Sequence, residues 1–298
     1  MIIKETPLLM KNFVKINVDA EKCVKCNKCL EICPLTQYLC FESLEDQYMG
    51  NMCIECCSCL AVCPEKAIRI NDHVPDTLVG KIPSIDEALD LVKFRRTTRA
   101  FKKEKVKRED WDKLLEAVKY CPTGHNAQDT DIMIIESPEI LQGISKICME
   151  LVKLFSKIMN ISILRPMFKK TLGEHPYNTF AKAALFYEQQ VKRVEKGWDP
   201  ALFHAPALML FIGPKTGKMN RDEADFAAQA VTLCAPTLGL GTCHSGLTMV
   251  AFEMKGRAMK KIVKIPKNQK VYSALLVGYA KSLPQYVPYR KARNVYYL

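Results

Sequence analysis

Cys23-Val24-Lys25-Cys26-Asn27-Lys28-Cys29-Leu30-Glu31-Ile32-Cys33-Pro34 and, downstream, Cys53-Ile54-Glu55-Cys56-Cys57-Ser58-Cys59-Leu60-Ala61-Val62-Cys63-Pro64 are two copies of one pattern, C-x2-C-x2-C-x3-C-P. That spacing holds a cubane iron–sulfur cluster. Three thiolates two residues apart wrap one corner of a cubane from a single tight loop. The fourth is expected at the start of a short helix, reaching away from that loop, with Pro34 or Pro64 as the stop. The candidate metal ligands are therefore Cys23, Cys26, Cys29, Cys33, Cys53, Cys56, Cys59 and Cys63. Disulfides would suit a secreted module, but the opening MIIKETPLLMKNF has no apolar run of signal-peptide length, so a cytoplasmic location is expected. Zinc sites favour two CxxC pairs across a longer gap. Cys40, Cys57, Cys121, Cys148, Cys234 and Cys243 receive no role, since a lone intracellular cysteine is usually a small buried apolar residue.

Residues 15–72 resemble bacterial two-cluster ferredoxins. The resemblance implies two 4Fe-4S clusters with exchanged fourth ligands. One would take Cys23, Cys26, Cys29 and Cys63, and the other Cys53, Cys56, Cys59 and Cys33.

Most of the 298 residues lie beyond this segment, enough for one large domain with its own core. No uninterrupted apolar run has membrane-spanning length, so no membrane span is expected. The stretch from Ile147 to Phe168 is broken by Lys153, Lys157 and Arg165 and suits one or two amphipathic helices. The formal net charge is +12, which two clusters of charge −2 would lower to about +8. The basic residues are scattered, and the densest run, Lys102 to Arg108, suits a solvated connection. No basic groove with interleaved aromatics is present, so nucleic acid is not an expected partner. Attraction to acidic electron-carrier proteins is the more natural use of the charge.

Breakers fill the segment after Ile70, which gives domains at 1–72 and 84–298 with a linker at 73–83. Ser84 and Glu87 form a capping box, and Ile85, Leu89 and Val92 follow at helical spacing. Trp111, Leu114, Leu115 and Val118 make a stripe on a helix from about 109 to 120. Buried strands are expected at 132–135, 207–212 (stopped by Gly213-Pro214) and 271–280. A buried helix is expected from Phe226 to Leu238, and a mostly helical stretch from about 139 to 198. Alternation of this kind indicates an α/β or α+β sandwich.

Four separated signatures now converge: Arg95-Arg96-Thr97-Thr98-Arg99-Ala100-Phe101, Pro122-Thr123-Gly124-His125-Asn126-Ala127-Gln128, Leu238-Gly239-Leu240-Gly241-Thr242-Cys243 closing a long helix, and Gly278-Tyr279-Ala280. In this order they resemble the FMN-dependent nitroreductase family over 84–298. The resemblance implies an α+β fold in which a two-cluster ferredoxin-like domain precedes a nitroreductase-like α/β sandwich.

It also implies FMN as cofactor. Arg95 and Thr97, with Arg96 beside them, match phosphate and ribityl contacts. Arg290 and Lys291 match a second set of phosphate cations. Arg99 matches the cation near the pyrimidine edge, and Asn126 the amide at the ring edge, with Pro122, Thr123, Gly124 and His125 beneath. Ser245 and Gly246 fall where the family offers a backbone N–H to flavin N5. Arg95, Arg96 and Arg99 also suit a basic helix C-terminus, and Arg290 and Lys291 a solvated tail. His125 and His244 are candidate proton donors against a structural role, and Trp198 and Phe203 suit packing.

The expected activity is electron transfer from a ferredoxin or flavodoxin-type donor through two clusters to FMN. The flavin would then reduce a small acceptor: a nitroaromatic, quinone or activated alkene. Substrate oxidation with electrons exported through the clusters, or a carrier without a dedicated substrate, stays open. Segment 145–204 is expected to shape the substrate site, and a homodimer follows from the resemblance. Anaerobically prepared protein should contain about eight iron and eight sulfide per chain; iron near half that, or zinc matching protein, would remove the doubled-cubane reading.

Overall fold

The structure is a computed structural model and describes residues 14–39, 43–45, 52–71, 73–74, 77–162, 165–174, 177–178, 181, 186–217 and 219–298. Cys40, Asp72, the linker residues Pro75 and Asp76, and parts of 163–185 in the expected substrate-shaping segment lie outside the described residues. The chain divides into two compact units. One comprises Met1–Pro83 with Thr123–Gln128, and the other Ser84–Pro122 with Asp129–Leu298. The short segment Thr123–Gln128 thus groups with the N-terminal unit, whereas the sequence suggested a continuous domain from residue 84.

In the first unit, β1 (Ile16–Val18) pairs antiparallel with β2 (Ile68–Ile70). The helices α1 (Lys28–Ile32), α2 (Pro34–Leu39) and α3 (Ser58–Val62) lie between them in sequence. A small core of Val14, Leu44, Leu60, Ile68 and Ile70 includes Cys59. Cys33 and Cys63 are the extended C-terminal caps of α1 and α3. The fourth cysteine of each motif therefore ends a short helix, and Cys33 also stands at the start of the next one, since the Gln37 N–H donates to its carbonyl (3.3 Å) and Pro34 opens α2. A residue before proline is driven to extended backbone, which fixes where that turn of helix stops.

In the second unit, α4 (Ile85–Phe94) starts at the expected capping box: Ser84 Oγ accepts from the Glu87 N–H (3.3 Å) and Glu87 Oε2 accepts from the Ser84 N–H (2.7 Å). The helix α5 spans Arg108–Lys119. A four-stranded sheet follows, built from β3 (Asp131–Ile135), β4 (Ala207–Pro214), β5 (Leu240–His244) and β6 (Gln269–Tyr279). Its order is β3-β4-β6-β5, antiparallel throughout, so the unit is α+β. The remaining helices are α6 (Pro138–Asn160), α7 (Arg165–Leu172), α8 (Tyr187–Glu195), α9 (Asn220–Cys234), α10 (Gly246–Met254) and α11 (Gly256–Val263). No helix among the described residues is long and apolar enough to cross a membrane.

Both faces of the sheet are buried, which is why β4 is a continuous apolar run and not an alternation. Leu208, Leu210 and Ile212 join one core layer with residues of α6, α10 and α11. Ala207, Met209 and Phe211 join the other, with Trp111, Leu114 and Ala228. A bulge opposite Phe211/Ile212 shifts the register, so that Ala274 and Leu276 share a face with Val271 across it. Such an extra residue reverses the alternation along a strand.

Two expectations change here. The Gly239–Cys243 stretch is not only a helix stop, since Leu240–His244 forms the edge strand β5. Its two glycines hide its strand character. Strand β4 also continues through Gly213-Pro214, pairing Pro214 with Gln269.

In a single chain the stripe of α4 stays uncovered, with Ile85 70% exposed. Residues 281–298 form neither helix nor strand, and Tyr286, Tyr289 and Tyr297 are exposed. Phe211→Ala should destabilise the second unit by about 3–5 kcal/mol, read by urea unfolding through tryptophan fluorescence. The exposed Val79→Ala should stay within about 0.5 kcal/mol.

Candidate functional site

The cysteine loops are shaped by backbone residues that L side chains seldom adopt. Lys25 (φ 55°) and Asn27 (φ 59°) in the first motif match Glu55 (φ 52°) and Cys57 (φ 56°) at the same places in the second. Left-handed residues on either side of the second cysteine curl the chain into a tight loop. The structure brings the motifs together crosswise. Burial raises the Cys29 thiol, and Cys63 and Cys23 lie close enough to raise it further. Burial likewise raises Cys53 and pushes Cys59 up to about 12, with Cys33 adding to both.

Two backbone donors already point at sulfur: Glu55 N–H to Cys53 Sγ (3.4 Å) and Ala67 N–H to Cys63 Sγ (3.3 Å). All these cysteines are free of disulfides. Among the described residues no three His, Cys, Asp or Glu groups converge on one ion position. The donor set brought together crosswise, Cys29 with Cys63 and Cys23, and Cys53 and Cys59 with Cys56 and Cys33, with N–H groups at sulfur, fits cubane clusters, whose charge such donors stabilise. Cys57 is a ninth thiol beside them, and it donates to the Glu55 carbonyl (3.3 Å).

In the second unit the segment after α4 runs along the sheet edge. Thr97 bridges Thr242 in parallel, and the Thr98 N–H donates to the Thr242 carbonyl (2.8 Å). Farther on, Phe101 bridges Ala280 and the Lys102 N–H donates to the Tyr279 carbonyl (2.8 Å). This approach explains the signature Gly241, and Pro206 explains Gly278. A Cβ on Gly241 would stand 2.3 Å from Thr98 Oγ1, and one on Gly278 2.5 Å from Pro206 Cδ.

The same contacts bring the arginine segment to the end of β5. Arg99 lies 5.8 Å from the Phe203 ring centre and close enough to Cys243 to offset part of the rise that burial causes in its thiol. Loss of hydration lowers the pKa of His244, although one side of the residue meets solvent; Asp225 opposes that shift and nearby Arg95 adds to it. Among the described residues Arg95, Arg96 and Arg99 enter no ion pair. Unpaired cations beside the start of α10, where first-turn N–H groups lack intrahelical acceptors, fit a phosphate-bearing group.

Other expected contacts behave differently. The Ser245 N–H donates to the Ala274 carbonyl (2.9 Å), and its hydroxyl shares a 2.7 Å bond with Thr248 Oγ1. Gly246, first residue of α10, is thus the member of that pair at the helix start. Asn126 Nδ2 donates to the carbonyls of Ile54 and Glu55, both at 3.0 Å. Thr123 Oγ1 accepts from the Gln128 N–H (3.2 Å) within the same loop, which contains Gly124 and follows Pro122. Arg290 and Lys291 are exposed, and Arg290 donates to the Tyr289 carbonyl (3.1 Å).

A cavity of about 700 Å³ lies elsewhere in the unit, lined by Leu141, Met149, Trp198, Leu202 and His204 among others. None of the expected flavin contacts lines it. Much of its lining falls in the segment 145–204 that the sequence singled out, whereas sequence reasoning missed the strained pair Phe203 and His204, both at φ 53°.

Residues 92–279 match the family described as the nitroreductase family, and residues 15–64 match a 4Fe-4S dicluster domain. The iodotyrosine deiodinase of Thermotoga neapolitana is 29% identical over 190 residues, 64% of this chain and 87% of that protein. An oxidized iodotyrosine deiodinase solved with FMN and 3-iodo-L-tyrosine aligns over 70% of this chain and 98% of its own, with a TM-score of 0.50 and 24% identity. A nitroreductase with bound FMN from Desulfitobacterium hafniense DCB-2 aligns over 72% and 100%, with a TM-score of 0.52 and 17% identity. At these identities the structural likeness establishes the fold.

Because the pKa of His244 lies below the ordinary 6.5, the folded state disfavours its charged form. Its contribution to stability is full above 6.5 and falls as the pH drops through that value, where the unfolded chain takes up the proton first. Histidine NMR should place its midpoint below 6.5, with Asp225→Asn moving it lower and Arg95→Ala higher; a midpoint at or above 6.5 would contradict the arrangement.

Proposed function

Since the chain belongs to the nitroreductase family and carries a 4Fe-4S dicluster domain at its N-terminus, we propose that it is an FMN-dependent oxidoreductase with a built-in one-electron feed. In this reading a ferredoxin or flavodoxin-type protein supplies electrons to the clusters. FMN, when bound, accepts single electrons and delivers a hydride equivalent to an electron-poor acceptor. The observation that carries the reading is the union, in one chain, of crosswise-paired cysteine motifs with arginines that enter no ion pair among the described residues, at the end of β5 in a nitroreductase-family unit.

The roles are those the family resemblance implies, and residue chemistry supports them. Cys23, Cys26, Cys29 and Cys63 hold one cluster, and Cys53, Cys56, Cys59 and Cys33 the other. Arg95 and Thr97, with Arg96 beside them, bind the phosphate and ribityl chain, where a guanidinium fork suits phosphate oxygens. Arg99 holds positive charge near the pyrimidine edge and favours the reduced, anionic ring. Gly246 offers a backbone N–H, and Asn126 keeps its side-chain oxygen for the ring edge because its nitrogen is committed. The uncovered stripe of α4 and the exposed tail support a homodimer, in which Arg290 and Lys291 would reach the second chain's phosphate site. Nitroaromatics, quinones and activated alkenes are the leading acceptors. A second reading, reductive removal of halide from an aromatic ring, is favoured by the deiodinase relative.

Anaerobic stopped-flow mixing with reduced ferredoxin, followed by an acceptor screen that includes halide release, tests the direction and the acceptor class. Clusters that become reduced only when substrate is added, with no reduced ferredoxin present, would favour the reverse direction. Arg95→Ala should weaken FMN binding by about 1.5–3 kcal/mol, the scale of a charge-assisted hydrogen bond, with iron content unchanged. Normal FMN affinity in that variant would remove the phosphate assignment.

A further inference from the structure

Between Phe252 and Val271 the chain carries seven lysines and arginines against the single acid Glu253. The fold gathers this stretch at one corner of the second unit. There α10 ends at Met254, α11 starts at Gly256, and the segment after α11 leads into β6. The end of β4 joins them, because Pro214 pairs with Gln269 and the Lys215 N–H donates to the Asn268 carbonyl (3.1 Å).

A cavity of about 410 Å³ opens at this corner. Its apolar part is formed by Phe252, half-buried, with the buried Ile265 and Val271. Lys215, Arg257, Lys260 and Lys270 line it as well and are exposed, and Glu253 is the one acid among the lining residues. None of the four cations enters an ion pair among the described residues. Lys270 Nζ lies 5.5 Å from the Tyr272 ring centre.

The start of α11 has the same preference for negative charge. Its N-cap residue is Lys255, whose side chain accepts nothing from the first turn, and no acid stands in that turn. By contrast α4, α5, α6 and α9 each carry an acid there. A cation at a helix start opposes the dipole, and four cations around one cavity repel one another. A bound anion relieves both. Gly256 lines the cavity, and a Cβ on it would meet nothing within 4 Å, so the approach to the helix start is open on that side.

We propose that this corner is a second ligand site of the enzyme, and that it takes a small molecule joining two or more phosphate charges to a flat, weakly polar ring, of the nucleoside diphosphate class. The arginine fork and the lysine point charges suit phosphate oxygens. The volume lies within the usual range for small-molecule sites. A macromolecule would meet the exposed cations and leave the apolar recess empty, whereas a ring that enters the recess covers Phe252, Ile265 and Val271. The site is separate from the one read for FMN. The helix α10 has nine residues and is about 13 Å long, with Gly246 at one end and this cavity at the other.

Full-length protein, reconstituted with iron, sulfide and saturating FMN, is titrated calorimetrically with ADP, pyrophosphate and adenosine. Because FMN fills its own phosphate site, the titration reads the second one. ADP should bind at one site per chain and more tightly than pyrophosphate, and adenosine should not saturate at concentrations that saturate ADP. Added salt should weaken binding severalfold, since exposed charges are screened. Arg257→Gln with Lys260→Gln should lower ADP affinity roughly tenfold or more, the scale of a lost charge-assisted hydrogen bond, with iron and FMN content unchanged. Lys215→Gln with Lys270→Gln removes charge from the strand side and should give a similar loss if the helix variant does not fold. Lys103→Gln with Lys105→Gln removes as much charge elsewhere in the unit and should leave ADP affinity unchanged. Loaded protein that binds no ADP, or that binds duplex DNA in its place, overturns the proposal. So does full affinity in the rim variants, an equal loss in the Lys103 and Lys105 variant, or pyrophosphate binding as tight as that of ADP.

Discussion

Burial of β4 on both faces is the constraint on which the second unit depends. Ala207 to Ile212 is buried residue by residue, and its side chains enter two separate apolar layers in alternation. With both faces covered, its edge N–H and C=O groups also lie away from water and are satisfied by β3 on one side and β6 on the other. Pairing with β6 then fixes β5, and β5 fixes the arginine segment through the bond from Thr98 to Thr242. The positions of Arg95, Arg99 and the start of α10 follow from that order of pairing. Each step removes backbone polar groups from water only because a partner strand satisfies them.

Much of this was legible in the chain because the informative signals are local. The capping box at Ser84, the stripe on α5 and the apolar runs of β3, β4 and β6 all depend on neighbours a few residues apart. The cysteine spacing is local too, and the family match of each motif agrees with it. The strand β5 was hidden because Gly239 and Gly241 look like helix punctuation. Only the structure shows that a side chain at Gly241 would collide with Thr98. The commitment of the Ser245 N–H to Ala274 and of the Asn126 amide to Ile54 and Glu55 joins residues far apart in sequence. No pattern in one chain announces such pairs. The segment 145–204 that lines most of the cavity beside Trp198 was singled out in the sequence, but the cavity itself needs residues from separate segments and was not.

The two cysteine loops share a backbone and differ in surroundings. Asn27 and Cys57 occupy equivalent left-handed positions, yet asparagine tolerates that region far better than cysteine. The Cys57 thiol donates to the Glu55 carbonyl, a local bond that helps to hold the unfavourable backbone. The second loop is therefore tied down at Glu55 from three directions, by Cys57, Asn71 and Asn126. Equal spacing in sequence does not make the two loops equal in rigidity, and rigidity controls how far a group reorganises when its charge changes.

The grouping of Thr123–Gln128 with the N-terminal unit makes that unit discontinuous along the chain. A ribosome releases the cysteine motifs long before this loop. During synthesis the second motif therefore passes through a period in which its Ile54 and Glu55 carbonyls lack the Asn126 amide. Iron delivered in that interval meets a looser loop than the finished protein offers. Exchange of the N-terminal module between relatives is limited in the same way, because a transplanted module must match a loop encoded in the recipient's other half.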